Sequence, residues 1–268
     1  MDGNQFSIVT CWNARPDTPA AIGEKVLRTL DAVAARVPHF SSWGVENPDF
    51  DIDLVTEDNW REMAADTSLP LETVRDRFTD YIERCVWDGA DPTKGYSTFA
   101  SNETGVEELC PKSFIVSIRA GIQSKFLNHA SFETGSDDVT PAPEIVTYAV
   151  VKSVFLSLLS IWSGDFGHVS SGALAQFRRR PRTNLELDWM TYLSPALAEQ
   201  VLPLNGIRYE TLGDGGILLI AAEETFDTNN AEHMSASLRM RAAMSPINNE
   251  EEVANRPRPD LPWAIRVE

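Results

Sequence analysis

The chain has 268 residues, 43% of them hydrophobic, and a formal net charge of −17. That length allows one large domain or two modest ones with a well-buried core, and that hydrophobic content argues against disorder. The charge disfavours direct binding to nucleic acid, where Lys and Arg must neutralise phosphates; it favours solubility or a basic partner drawn in electrostatically.

Phe6 to Trp12 reads as a first strand, β-branched and aromatic. Thr18-Pro19 then opens a helix, with Thr as N-cap and Pro at the first helical position. Its stripe of Ile22, Val26, Leu27, Leu30, Val33, Ala34 and Val37 runs to Pro38. The stretch from Phe40 to Asp58 is acidic and flanked by aromatics. Ser68 to Glu72 is expected to start another helix, with a stripe through Leu71, Val74, Phe78, Tyr81, Ile82 and Cys85. Tyr96–Ala100 reads as a short strand. Ser113–Arg119 and Phe126–Phe132 alternate and are expected to pair as a hairpin.

Thr134 to Ala142, rich in Gly, Ser, Asp and Pro, is either a boundary between two lobes or a surface loop. After it comes the longest apolar run, Pro143 to Ser163. Such a helix, apolar nearly all round, is wrapped by protein or immersed in lipid. Lys152 near its middle is costly in lipid, so a buried central helix is expected, started by Pro143-Glu144 and stopped at Gly164. Ser170–Phe177 has helical character, Leu185–Leu193 reads as a strand, and Ser194-Pro195 starts a short helix. Ile207–Leu212 and Ile217–Ala222 flank Gly213-Asp214-Gly215-Gly216, a hairpin signal because such turns need positive φ. Asp227 to Asn230 caps a last helix reaching about Met244. The expected fold is α+β, an antiparallel or mixed sheet with hairpins packed around a buried central helix. Residues 1–247 form one domain, with a two-lobe division near 134–142 as the alternative, and 248–268 form a charged, Pro-rich tail.

Catalytic constellations are weak. Asp165-Phe166-Gly167 spells a kinase tripeptide, but the Gly-rich loop and catalytic-loop motifs that should precede it are missing. Asp165, His168 and Ser170 supply triad residue types but crowd into six residues, where capping and turning explain them better. Asp51-Ile52-Asp53 has no nucleotide-binding strand pattern around it, and His39, His129, His168 and His233 lack ligand spacing. The Arg178-Arg179-Arg180-Pro181-Arg182 cluster is more readily paired with local carboxylates than with phosphate. No cofactor, no metal and no enzyme are expected. Cys11, Cys85 and Cys110 stand far apart without a CxxC pair, as free thiols of a reducing compartment do, and MDGNQF has no signal-peptide character; a cytoplasmic location is expected. What remains is acidic surface: Glu46, Asp49, Asp51, Asp53, Glu57 and Asp58 beside Phe50 and Trp60, and Glu223, Glu224 and Asp227 after the late hairpin. Carboxylates around an aromatic anchor suit a basic partner, while a plain solvated face is the bland alternative.

Trp12-Asn13-Ala14-Arg15-Pro16 after the first strand, the Leu27/Leu30 helix, Phe40 and Trp43, and the closing GDGGILLIAAEETFDTNNAEH resemble the immunity protein 52 family of bacterial polymorphic toxin systems. Trp162, Trp189 and Tyr192 fall where that family's middle aromatics are expected, and the resemblance spans Phe6 to about Ile247. It implies a non-enzymatic antidote that binds a cognate secreted toxin, a nuclease of restriction-endonuclease-like fold delivered by type VI secretion or a related route. The chain would then block a DNase effector through the eleven acidic and aromatic residues just named, as a monomer and without touching membrane or nucleic acid. Two other classes stay open: a small-molecule enzyme with an unrecognised pocket, and an acidic adaptor or chaperone for a secreted effector.

Overall fold

The position of one strand decides the architecture. In the computed structural model, which describes residues 5–36, 42–45, 69–70, 95–101, 114–123, 128–134, 140–175 and 188–247, Phe6–Trp12 forms β1 as expected. Helix α1 (Pro19–Ala34) follows, then β2 (Ser42–Val45), β3 (Leu69–Pro70), β4 (Tyr96–Ser101), β5 (Phe114–Ala120) and β6 (Asn128–Thr134). A 3-10 turn (Pro143–Ile145) precedes α2 (Tyr148–Trp162). Then come β7 (Phe166–Ser171), α3 (Gly172–Ala175), β8 (Met190–Leu193), α4 (Pro195–Ala198), β9 (Arg208–Thr211), β10 (Ile217–Ile220) and α5 (Ala231–Ala243). Among the described residues ten strands make one sheet in the order β3-β2-β4-β5-β6-β1-β7-β8-β10-β9, and all its pairings are antiparallel. The fold is α+β. β1 sits in the middle, bonded on one side to β6 and on the other to β7.

Alternation along the strands builds two cores. Ile8, Trp12, Phe132, Val116, Val169, Met190, Tyr192 and Leu218 share one face under α1 and α2. Cys11, Phe166, Leu193, Ile217 and Leu219 point the other way, against Leu197 of α4 and Met240 of α5. β8 and β10 are buried on both faces for this reason, so their apolar runs are nearly continuous.

Helix α2 crosses the first face, its stripe of Val151, Val154, Phe155, Leu158 and Trp162 buried. It is a half-covered helix: Ala149 and Ser160 are exposed. Gly167 lets it lie close, because a Cβ there would meet the Val9 carbonyl at 2.6 Å and Phe155 at 2.7 Å. The Trp12–Arg15 turn holds the helix C-terminus. Trp12 stacks on Trp162 with centroids 5.0 Å apart, and the Arg15 guanidinium lies over Trp12 and donates to the Trp162 carbonyl. That cation meets the negative end of the helix, where last-turn carbonyls lack partners. Trp162 donates its indole N–H to Thr29 Oγ1 of α1 at 3.0 Å, so three elements meet at one ring.

Several boundaries depart from the sequence reading. α2 starts at an N-cap on Thr147, whose hydroxyl accepts from Val150, because Pro143-Glu144 closes a separate 3-10 turn. The left-handed residue at its end is Ser163 (φ 48°), one before Gly164. Ser170 lies in β7 instead of a helix, leaving a single helical turn at Gly172–Ala175. Leu69–Pro70 pairs with β2 as an outermost strand, a place that tolerates Pro, where a helix start was expected. α1 stops at Ala34, short of Pro38. The helix expected beyond Leu71, the Arg178–Arg182 cluster and the tail lie outside the described residues.

Candidate functional site

Of the acidic candidates, Glu223, Glu224 and Asp227 are described; Glu46, Asp49, Phe50, Asp51, Asp53, Glu57, Asp58 and Trp60 lie outside the described residues. The described three sit on the segment that leaves β10 and enters α5. Ala222 and Phe226 are buried, which turns Glu223 and Glu224 outward between two anchors. The Ala222 carbonyl accepts from the Trp189 indole at 2.9 Å, and Thr225 Oγ1 donates to the Val146 carbonyl at 3.0 Å. Asp227 accepts from the Asn229 amide at 2.8 Å, and Asn230 Oδ1 accepts from the Glu232 amide at 2.9 Å as the N-cap of α5. Asp227 to Asn230 thus caps α5 as expected, while the buried Ala222 and Phe226 present the two glutamates.

Together with Gly206, Ile207, Arg208 and the first turns of α5, this segment lines an open cleft of about 440 Å³. Its polar groups are Glu223, Glu224, Glu232, His233, Arg208 and Arg239. Glu223 forms an ion pair with Arg208, both half-exposed, so that carboxylate is already partly compensated. Glu224 Oε1 lies 2.9 Å from His233 Nε2. His233 is nearly buried beside Phe226, ring centroids 5.4 Å apart, and its Nδ1 accepts from the Asp227 amide at 3.1 Å. A nitrogen that accepts carries no proton, so the proton is on Nε2 and is donated to Glu224.

Both imidazole nitrogens are engaged, so neither offers the free lone pair that a general base needs. The segment presents outward carboxylates, one of them oriented by a buried histidine. Of the triad types, His168 and Ser170 lie two residues apart in β7 and Asp165 directly precedes that strand. Asp165 accepts from the Asn13 amide at 2.7 Å and is bonded through its own backbone to Cys11 and Ser194, which makes it a strut between strand ends, while His168 lies in mid-β7 opposite Val9 and Thr191. Cys11 is buried and its thiol is pushed up to about 12, first by burial and then by the charge of Asp165, so it stays protonated and inert.

Arg208, His233 and Arg239 were not among the sequence candidates. The hairpin held the clue to Arg208: pairing it with Ile220 places Glu223 only three residues past its partner. His233 had no such signal, since its partners come from a turn.

The sequence pattern of the family described as Immunity protein 52 matches residues 5–247. No curated protein matches the chain. Among solved structures, the Pseudomonas aeruginosa T6SS protein PA0821 is similar at 13% sequence identity and a TM-score of 0.49, over 90% of this chain and 72% of that one.

Proposed function

The chain belongs to the immunity protein 52 family, matched over residues 5–247, and from that premise we propose that it is the antidote to a secreted nuclease toxin, of restriction-endonuclease-like fold and delivered by type VI secretion. It acts in the cytoplasm as a monomer, by direct protein–protein blocking of a DNase effector. The family match carries the reading. The net charge of −17 supports it, because a nuclease that grips DNA phosphates presents a basic surface, and opposite charges speed encounter. The contact runs through carboxylates: Glu223 and Glu224 at the cleft, Asp227 beside them, and the stretch from Glu46 to Trp60. A binding role also accords with the cleft, where the His233 nitrogens are both engaged.

The test is capture of the partner by the tagged full-length protein from its native cell, followed by a DNA-cleavage assay. A nuclease recovered silent, and active once separated, is the expected result, with association slowing roughly tenfold or more between low and high salt. A partner that still cuts DNA while bound would make the chain an adaptor. Salt-insensitive association would remove the carboxylate contact and leave the antidote role standing.

A further inference from the structure

The sheet ends at β9, and the hairpin fixes which way that strand's backbone groups point. Leu212 donates its amide to the Gly216 carbonyl at 2.8 Å, and the Gly215 amide donates to the Leu212 carbonyl at 3.0 Å. Gly215 is left-handed (φ 84°), as the bulge closing a three-residue loop requires. Leu212 is thus a hydrogen-bonded position. Bonded and non-bonded positions alternate along an antiparallel strand, so Glu210 and Arg208 turn their amides and carbonyls inward to Leu218 and Ile220. Tyr209 and Thr211 turn theirs outward. Among the described residues nothing bonds those four outward groups, and both residues are exposed, Tyr209 to 49%.

Edges of this kind are normally blunted by lysine, proline or an inward-pointing charge. β9, reading Arg-Tyr-Glu-Thr, has no Lys or Pro, and each of its charges is matched within the chain. Arg208 pairs with Glu223, and Glu210 takes two bonds from Lys152 of α2 at 2.6 and 2.7 Å. Those pairs clamp the strand to its surroundings, leaving an ordered, open and locally neutral edge.

We infer that β9 is a docking edge at which an extended segment of the toxin adds as a further strand, held by the amides and carbonyls of Tyr209 and Thr211. This rests on the antidote reading above. The charge selects the occupant: a second copy would bring another −17 against the same surface, whereas a cationic protein is attracted. The surroundings agree, because the cleft holding Glu223 and Glu224 opens beside Arg208 at the start of β9. A segment running along the edge past Arg208 carries its basic side chains to those carboxylates, while the exposed Tyr209 ring packs on the segment's other face.

The test uses the full-length chain and the nuclease that co-purifies with it. Amide hydrogen exchange is compared between the free chain and the complex. The amides of Tyr209 and Thr211 are expected to exchange rapidly in the free chain and to slow at least a hundredfold in the complex. Tyr209→Pro and Thr211→Pro delete an outward N–H and keep the inward bonds, and are expected to weaken binding about tenfold or more. Thr211→Val, whose backbone can still pair, is expected to bind within threefold of the parent. Rapid exchange at both amides in a complex that silences the nuclease would overturn the docking edge and leave the antidote reading intact. Slow exchange already in the free chain, deepening with its concentration, would give the edge to a second copy and also overturn it. If the co-purifying protein still cuts DNA, the antidote reading falls, and the docking edge with it.

Discussion

Alkaline pH should weaken the fold through one buried thiol, and the size of the effect follows from its surroundings. Cys11 is fully buried in the middle strand; burial first, and the charge of Asp165 second, raise it from 9.0 to about 12. The folded chain therefore keeps a proton that the unfolded chain releases. For a raised group, stability is whole below the unfolded value near 9 and drains away as pH climbs toward the folded value. Each unit is worth about 1.4 kcal/mol, so moving from about pH 8 to about pH 10.5 removes about 2 kcal/mol through Cys11. Tyr192 is also raised, by burial and then by its bond to Asp214. Lys152 is raised as well: burial lowers it, but its bonds to Glu210 and its place beside Tyr148 outweigh that. Both lose stability in the same direction, but only from their higher ordinary values of 10.0 and 10.5 upward. Cys11→Ala isolates the thiol. Urea unfolding read by tryptophan fluorescence, with Trp12, Trp162 and Trp189 all buried reporters, is run on both proteins at the two pH values. Alanine's own packing cost is the same at each pH and cancels in the difference. The parent is expected to lose about 2 kcal/mol more than the variant. Parallel losses would refute the assignment of Cys11 as a thiol held protonated by its burial.

Two further outcomes follow from the packing. Trp162→Phe removes the indole bond to Thr29 and part of the stack on Trp12, and is expected to cost about 2–3 kcal/mol in denaturant unfolding. Gly215→Ala adds a Cβ that meets only Pro195 at an ordinary 3.5 Å, so its expected cost of about 1–2 kcal/mol in thermal unfolding comes from the left-handed backbone alone.

Where the chain's signals were local, they were readable. Thr18-Pro19 caps α1 with its hydroxyl accepting from Ala21, Asn230 caps α5, and Gly213 to Gly216 turns the β9–β10 hairpin, each because capping and positive φ depend on residues a few positions apart. Around α2 two local signals competed. Pro143 was a plausible helix start, but Thr147 offered a side-chain acceptor, and the cap prevailed. Gly164 was a plausible stop, but Arg15 and the Trp12 stack fix the helix end so firmly that Ser163 takes the left-handed conformation. The sheet order was not readable, since β1 is chosen by partners more than a hundred residues away. The site divides the same way: Glu223 and Glu224 stood out as an acidic pair, while Arg208 and His233, which orient them, come from across the hairpin and from the next helix.

The central place of β1 also sets a timetable. Its partners lie at Asn128–Thr134 and Phe166–Ser171, so the middle of the sheet cannot close until some 160 residues after β1 have left the ribosome. At roughly 5–20 residues per second that is a wait of about 10–30 s, during which an apolar strand stands without its full pair of neighbours. Contacts so distant in sequence also make for slow folding. A protein built in this way is better held as a finished stock than made on demand: its supply responds to a sudden need only after synthesis and a slow closure of the sheet.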